Sequence, residues 1–451
     1  MANPRSLGSR KAGYIHNLLT TLVKDDEDLT LEFLNKHKDL VMKAMLAHLD
    51  QRAMAAAFKG LLFAGCYSPP GMQEEEESAA NDAEGWARDL ATVEAIVDKV
   101  FEGGDDNADT HSNASKLLRS LIGEGVELSE EFAQHQYLHP HVSSEDICIR
   151  LANGIFHSSP PSALSSREGA FKILTALVGS NTFRDSDSDE SGVDMSEVPS
   201  IKYPCAALNH EQMCADLRGE GPQMPSSIGA TIRCVGPYRM SIVKYLALVF
   251  SSESLAVTRE LATHGVVDAC LQLLFDYPWS SMLHVEILCI VQFIIRSYDL
   301  LMQLRVFRKF NLLTKILDFL EEEDKRNASG GGGGGHKKVL TSTNRGCLYR
   351  ICLDVELYLV GLSKGNGSED GEVDAVEAST CPIRTWAEKH KVRWQSFVIG
   401  TLRGVEERQE RHLAGLPIPC PDGINIIYDA GPQSNSNASD FGLSNSMRGK
   451  F

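Results

Sequence analysis

The chain has 451 residues, 43% of them hydrophobic, and a formal net charge of −17. That length allows one large core or several small ones. The acidic balance repels a phosphate backbone, so a nucleic-acid partner is not expected, and partners should present basic or neutral surfaces. Eleven cysteines are scattered with no CxxC pair, and Cys148, Cys270 and Cys289 fall on or beside apolar helical faces. Such spacing argues for reduced thiols packed as small hydrophobes rather than a zinc finger.

The N-terminus has basic residues but no apolar run leading to a cleavage site, and the apolar stretches near residues 242–250 and 287–295 are too short to span a bilayer. No membrane span is expected. The predicted location is the cytoplasm, with the nucleus as a further compartment.

In chain order, apolar residues recur at helical spacing. Ile15, Leu18, Leu19 and Leu22 form one stripe, Leu40, Val41, Ala44, Met45 and Leu49 a second, and Met54, Ala57, Phe58, Leu61 and Leu62 a third. Trp86, Leu90, Val93, Val97 and Val100 end at Gly103-Gly104, suited to a C-terminal cap. Ser112 or Asn113 should open the helix carrying Leu117, Leu118 and Leu121, followed by helices through Cys148–Ile155 and Phe171–Val178.

Order resumes at Tyr238. Two apolar-faced helices then flank the corner Asp276-Tyr277-Pro278-Trp279-Ser280-Ser281, with Pro278 ending the first and Ser280 or Ser281 able to cap the second. Further stripes run through Leu312–Leu320, Leu348–Leu359 and Trp394–Leu402.

The pattern predicts an all-α fold, an irregular HEAT/armadillo-like helical-repeat solenoid with long disordered insertions. Its expected divisions are a flexible N-terminus (1–13), two parts of the helical-repeat domain (14–180 and 237–413), a mobile acidic and Pro/Gly/Ser-rich insertion (181–236) and a flexible tail (414–451). Flexible linkers are expected at about 322–342 and 363–382.

Few motifs suggest chemistry. Gly361-Leu362-Ser363-Lys364-Gly365 matches G-x-S-x-G, yet a nucleophile elbow needs a strand before the serine, and here a helix precedes it. His135, His139 and His141 could hold zinc, but Pro140 and polar neighbours suggest a loop. No catalytic, cofactor or metal residue is therefore assigned. Ser186, Ser188 and Ser191 sit beside carboxylates and are candidate phosphorylation sites. Tyr277, Trp279, His284, Arg393 and Trp394 read either as core or as partner contacts, because aromatic residues and Arg are enriched at interface hot spots.

Seven short motifs then occur in one order: Leu34-Asn35-Lys36-His37, His111-Ser112-Asn113-Ala114-Ser115, Asn153-Gly154-Ile155-Phe156-His157, Gly265-Val266 leading to Tyr277-Pro278-Trp279-Ser280-Ser281-Met282-Leu283-His284, Val306–Leu317, Gly346-Cys347-Leu348-Tyr349-Arg350-Ile351, and Arg393-Trp394-Gln395-Ser396-Phe397. In these the chain resembles the SAPS family, the phosphatase-associated regulatory subunits of protein phosphatase 6 and its fungal counterpart. The likeness covers about Tyr14 to Leu413. Both corner asparagines of the family are serines here, and Cys347 and Tyr349 replace a His and a Thr. The family's N-terminal acidic segment and most of its acidic tail are unmatched, leaving a divergent or an incomplete member as alternatives.

The resemblance implies a non-enzymatic subunit that binds a PP6-type Ser/Thr protein phosphatase catalytic subunit, directs it to substrates and needs no cofactor of its own. A generic armadillo-like scaffold for another complex is the alternative. Tyr277, Trp279, His284, Arg350, Arg393 and Trp394 are the candidate partner interface.

Overall fold

The computed structural model describes residues 7–63, 90–122, 139–157, 162–182, 209–225, 231–252, 254–297, 299–329, 342–365 and 381–413. Two units divide at residue 389. Within the first, the elements are α1 (Ser9–Asp25), α2 (Glu27–Lys36), α3 (Lys38–Ala47), α4 (Arg52–Phe63), α5 (Leu90–Phe101), α6 (Ala108–Ile122), α7 (His139–Val142), α8 (Glu145–Phe156), α9 (Leu164–Thr182) and α10 (His210–Arg218). A ribbon of β1 (Gln223–Pro225) and β2 (Thr231–Arg233) follows, antiparallel, with Met224 opposite Ile232. Then come α11 (Pro237–Ser251), α12 (Leu255–Thr263), α13 (Val266–Asp276), α14 (Ser281–Arg296), α15 (Leu300–Gln303, continued as a π-helix over Leu304–Lys309), α16 (Leu312–Ser329), α17 (Arg345–Gly365) and α18 (Pro382–Lys389).

The solenoid is visible in which helices touch. One layer runs α4, α6, α9, α11, α14, α17, each packed on the next. Cross-links fix a parallel register along it. His111 and Ser115 of α6 meet Ser165 (2.7 Å) and the Gly169 carbonyl (3.0 Å) of α9. Phe171 of α9 lies 5.9 and 5.8 Å from the rings of Tyr238 and Tyr245 on α11, Phe250 lies 6.3 Å from Phe293 on α14, and Gln292 donates to Asp354 of α17 at 2.7 Å. Among the second-layer helices, α10 packs on α13, and α13 meets α16 through Phe275–Phe319 (5.8 Å) and a Lys315–Gln272 hydrogen bond (3.0 Å).

Neither layer could bury its stripe alone. Phe171, Ile242, Leu246, Ile287 and Val291 are all buried between neighbours, each contributing about 1.5–3 kcal/mol through removal from water.

Several boundaries differ from the sequence reading. Helix α10 and the ribbon fall inside the interval expected to be a mobile insertion. Asp216 explains why α10 holds: it pairs with Arg167 of α9, accepts from Tyr238 of α11 at 2.8 Å, and its carbonyl accepts from Arg239 at 2.7 Å. Helix α1 begins inside the expected loose N-terminus, α16 continues through Ser329 into the expected linker, and α17 runs to Gly365. Ser363 therefore sits on a helix, not at a strand-to-helix turn. Helix α6 begins at Ala108, which puts Ser112 and Asn113 inside it. Ser280 occupies the N-cap of α14 without a side-chain capping bond.

Glycines explain two of the sequence signals. Gly103 and Gly265 have φ of +80° and +82°, the left-handed region where a side chain is strained. The first follows the end of α5, and the second is the N-cap of α13.

The second unit is described over residues 390–413, as α19 (Lys391–Phe397), a π-turn (Val398–Leu402) and α20 (Arg403–Leu413). Among the described residues, no helix is long and apolar enough to cross a membrane.

Candidate docking face

The corner between α13 and α14 is held by polar groups that arrive from far along the chain. Tyr277 is 2% exposed and His284 likewise 2%. His284 donates from Nε2 to the Tyr277 carbonyl at 2.9 Å, which assigns the proton to that nitrogen. Its Nδ1 is buried without a partner. Burial pushes the imidazole's pKa down, and the hydrogen bond to Tyr277 opposes that only in part, so the ring is neutral.

Around it, residues 342–347 staple the corner down. Asn344 donates to the Leu274 carbonyl at 2.9 Å, and the Thr343 backbone N–H and hydroxyl both donate to the Pro278 carbonyl (3.1 and 2.9 Å). Cys347 reaches the His284 carbonyl at 3.3 Å. Ser342 hydrogen-bonds Asn344 (2.7 Å), and its backbone N–H donates to Glu323 of α16 at 3.0 Å. Gly221, just before the ribbon, lies so close to Tyr277 that a Cβ there would sit 2.8 Å from the phenol oxygen. Tyr277 and His284 thus face inward and build the corner: of the two readings the sequence left open, core and partner contact, the structure takes the first and removes them from the candidate partner interface.

What remains outside is a strip shared by α14 and α17. On α14, Met282 (63% exposed), Val285 (58%) and Cys289 recur at helical spacing and point away from the core. On α17, Arg350 and Leu357 are exposed one face over, with Asp354 between them. Arg350 pairs with Asp354 at 3.3 Å, and Asp354 also accepts from Gln292 of α14, so the two outward faces adjoin. Trp279, half-buried, begins the strip at the corner. A run of exposed apolar groups with a guanidinium among them can grip a partner, because apolar area supplies affinity and charge supplies orientation.

Of the other candidates, Trp394 and Arg393 lie in the second unit. Trp394 is buried, its ring 5.9 Å from Phe397, and Arg393 is half-buried. Ser186, Ser188, Ser191 and His135 lie outside the described residues, and His139 and His141 fall on the four-residue α7. Sequence reasoning did not unite His210 with Glu260 and His264, whose potential ligand atoms all lie within 4.8 Å of one another. They come from helices fifty residues apart in the chain, so no spacing signal announces them.

One comparison with known proteins falls on this region. The family model SAPS, described as SIT4 phosphatase-associated protein, matches residues 255–358. The SAPS likeness found by that model is carried by this segment. It runs from the first residue of α12 into α17 and so contains the corner, its staple and the exposed strip.

Curated proteins similar to the chain include serine/threonine-protein phosphatase 6 regulatory subunit 3 of Gallus gallus, 24% identical over 323 residues (66% of this chain, 34% of the relative). Regulatory subunits 1 and 2 of Homo sapiens are each 24% identical, covering 62% of this chain and 33% and 28% of theirs. The chain therefore spans about a third of the length of these relatives. No solved structure matches.

The fold gives physical meaning to the motif residues of the matched segment. Its Gly-Val start is a left-handed N-cap followed by a fully buried valine, and its corner histidine is a buried backbone clamp. Upstream, His111, Asn113 and Ser115 bond to Ser165, the Leu49 carbonyl and the Gly169 carbonyl, fastening α6 to its neighbours.

Proposed function

We propose that the chain is a regulatory and scaffolding subunit that binds a PP6-type Ser/Thr phosphatase catalytic subunit and directs it to substrates. The observation that carries this reading is the SAPS match over a tightly stapled part of the solenoid, in a chain whose curated relatives are named as regulatory subunits of phosphatase 6. A non-catalytic role is consistent with the helical placement of Ser363. Docking uses the α14–α17 strip, with Met282, Val285 and Leu357 supplying apolar contact and Arg350 a charge. Catalysis then belongs to the partner, and the scaffold acts by holding enzyme and substrate together, which raises effective concentration without new chemistry.

Affinity purification of the tagged chain from its own cells tests this. A PP6-type catalytic subunit among the dominant partners is the expected result. Its repeated absence, with other proteins recovered in stoichiometric amounts, would turn the reading toward a scaffold of another complex.

A further inference from the structure

We propose that His210, Glu260 and His264 form a binding site for a divalent transition-metal ion, zinc being the best chemical fit, which clasps α10 to α12. Three donors of the right kind converge: one potential ligand atom from each residue, all within 4.8 Å of one another. Glu260 and His264 stand one helical turn apart, at the end of α12 and its C-cap, so their side chains share a face. His210 is the first residue of α10, held there by Asn209, whose side chain caps the helix through the Gln212 N–H at 3.0 Å. The site thus has two anchored helix ends and an exposed carboxylate between them.

A second observation points to a ligand. His210 is 9% exposed, and its Nε2 is buried with no hydrogen-bond partner. A lone imidazole nitrogen in that condition has lost its water and gained no partner, and coordination would supply one.

Two imidazoles and a carboxylate are a donor set that suits zinc, with water completing a tetrahedron. Tetrahedral zinc places its ligand atoms about 3.3 Å apart at bond lengths of about 2.0–2.1 Å, so the present cluster must tighten. The two rings are stacked, centroids 4.5 Å apart and planes 10° apart, and parallel rings cannot both point their lone pairs at one ion. Binding therefore turns the His264 ring out of the stack. Its exposure permits that, while its backbone stays fixed by the Glu260 carbonyl (3.1 Å) and by Cys214, whose thiol reaches the His264 carbonyl at 3.5 Å. The nearby Arg305 guanidinium is already paired with Asp268 (3.0 and 2.7 Å), which limits its repulsion of a cation.

Zinc chloride or cobalt chloride titrated into the tag-free, chelator-treated full chain provides the test. Expected are one equivalent of zinc, cobalt absorption of tetrahedral type, and a rise in melting temperature with zinc. Glu260→Gln and His264→Ala, both at exposed positions and so compatible with folding, should each weaken binding at least tenfold while circular dichroism stays unchanged. No stoichiometric uptake by the wild type would overturn the proposal. So would wild-type affinity in both variants, or binding lost only in a His139→Ala/His141→Ala chain.

Discussion

The Asn344 amide donates to the carbonyl of Leu274 at 2.9 Å across seventy residues of chain, with Asn344 wholly buried. Leu274 lies in the last turn of α13, where backbone carbonyls have no acceptor role left within the helix. One side chain at the entrance to α17 therefore completes a helix that ended long before it.

Asn344→Ala should accordingly destabilise the fold by about 1–3 kcal/mol, because it strands a buried carbonyl and the Ser342 hydroxyl together. Urea denaturation is the measurement. The midpoint should fall while the slope is unchanged, and a wild-type midpoint would mean that water or another donor replaces the amide.

The Arg167–Asp216 pair carries the larger consequence. Both side chains are mostly buried, 11% and 14% exposed, and the Arg167 guanidinium also lies over the Tyr238 ring at 4.4 Å. Asp216→Ala leaves a cation without its counter-charge, which should cost about 3–5 kcal/mol. Gln212→Ala, an exposed neighbour that hydrogen-bonds the same carboxylate, should change stability by less than about 0.5 kcal/mol. Equal effects would show that the carboxylate is not a structural hub.

The same pair marks where sequence reading stopped. Helices such as α13 and α14 were legible because Val267, Cys270, Leu271 and Leu274, or Leu283, Ile287, Ile290 and Ile294, repeat with helical period and are buried as that period requires. Helix α10 offers only Met213, Cys214 and Leu217 as apolar contacts, amid charge, and its attachment comes from residues about fifty positions earlier and twenty later. Local pattern holds no trace of such a bond.

Inward and outward also could not be told apart at the corner. Tyr277 and His284 are amphipathic, and segments distant in the chain, Gly221 on one side and residues 342–347 on the other, cover the corner they form. Conversely Met282 and Val285 are apolar yet lie exposed, because the stripe beside them already fills the interface with α11 and α17. The SAPS likeness was readable since it depends on short motifs in order. Their reasons, a left-handed glycine and buried polar clamps, needed the fold.

Gly265→Ala tests the first of those reasons. A side chain at φ +82° costs about 1–2 kcal/mol, and the added Cβ would sit 3.4 Å from the Arg305 guanidinium. A loss of that size in thermal or urea unfolding is expected, with the helical spectrum retained.

Acid should weaken the corner. The pKa of His284 is depressed in the folded chain by burial, so the unfolded chain binds more protons once the pH drops toward the ordinary histidine value. The stability contributed by the neutral ring is fully present above about pH 6.5 and is lost as pH falls below it. His284→Gln should flatten that part of the stability-versus-pH curve while lowering stability at pH 8. Parallel curves for the two proteins would remove His284 as a source.

Direct binding of the purified chain to a purified PP6-type catalytic subunit puts the docking account at greatest risk. The wild type should bind, and Met282→Glu/Arg350→Gln should weaken binding at least tenfold with helical content unchanged and melting temperature lowered only slightly, since both side chains are exposed and Arg350 gives up only a half-exposed pair with Asp354. Undiminished binding by that variant, or none by a folded wild type, would contradict it.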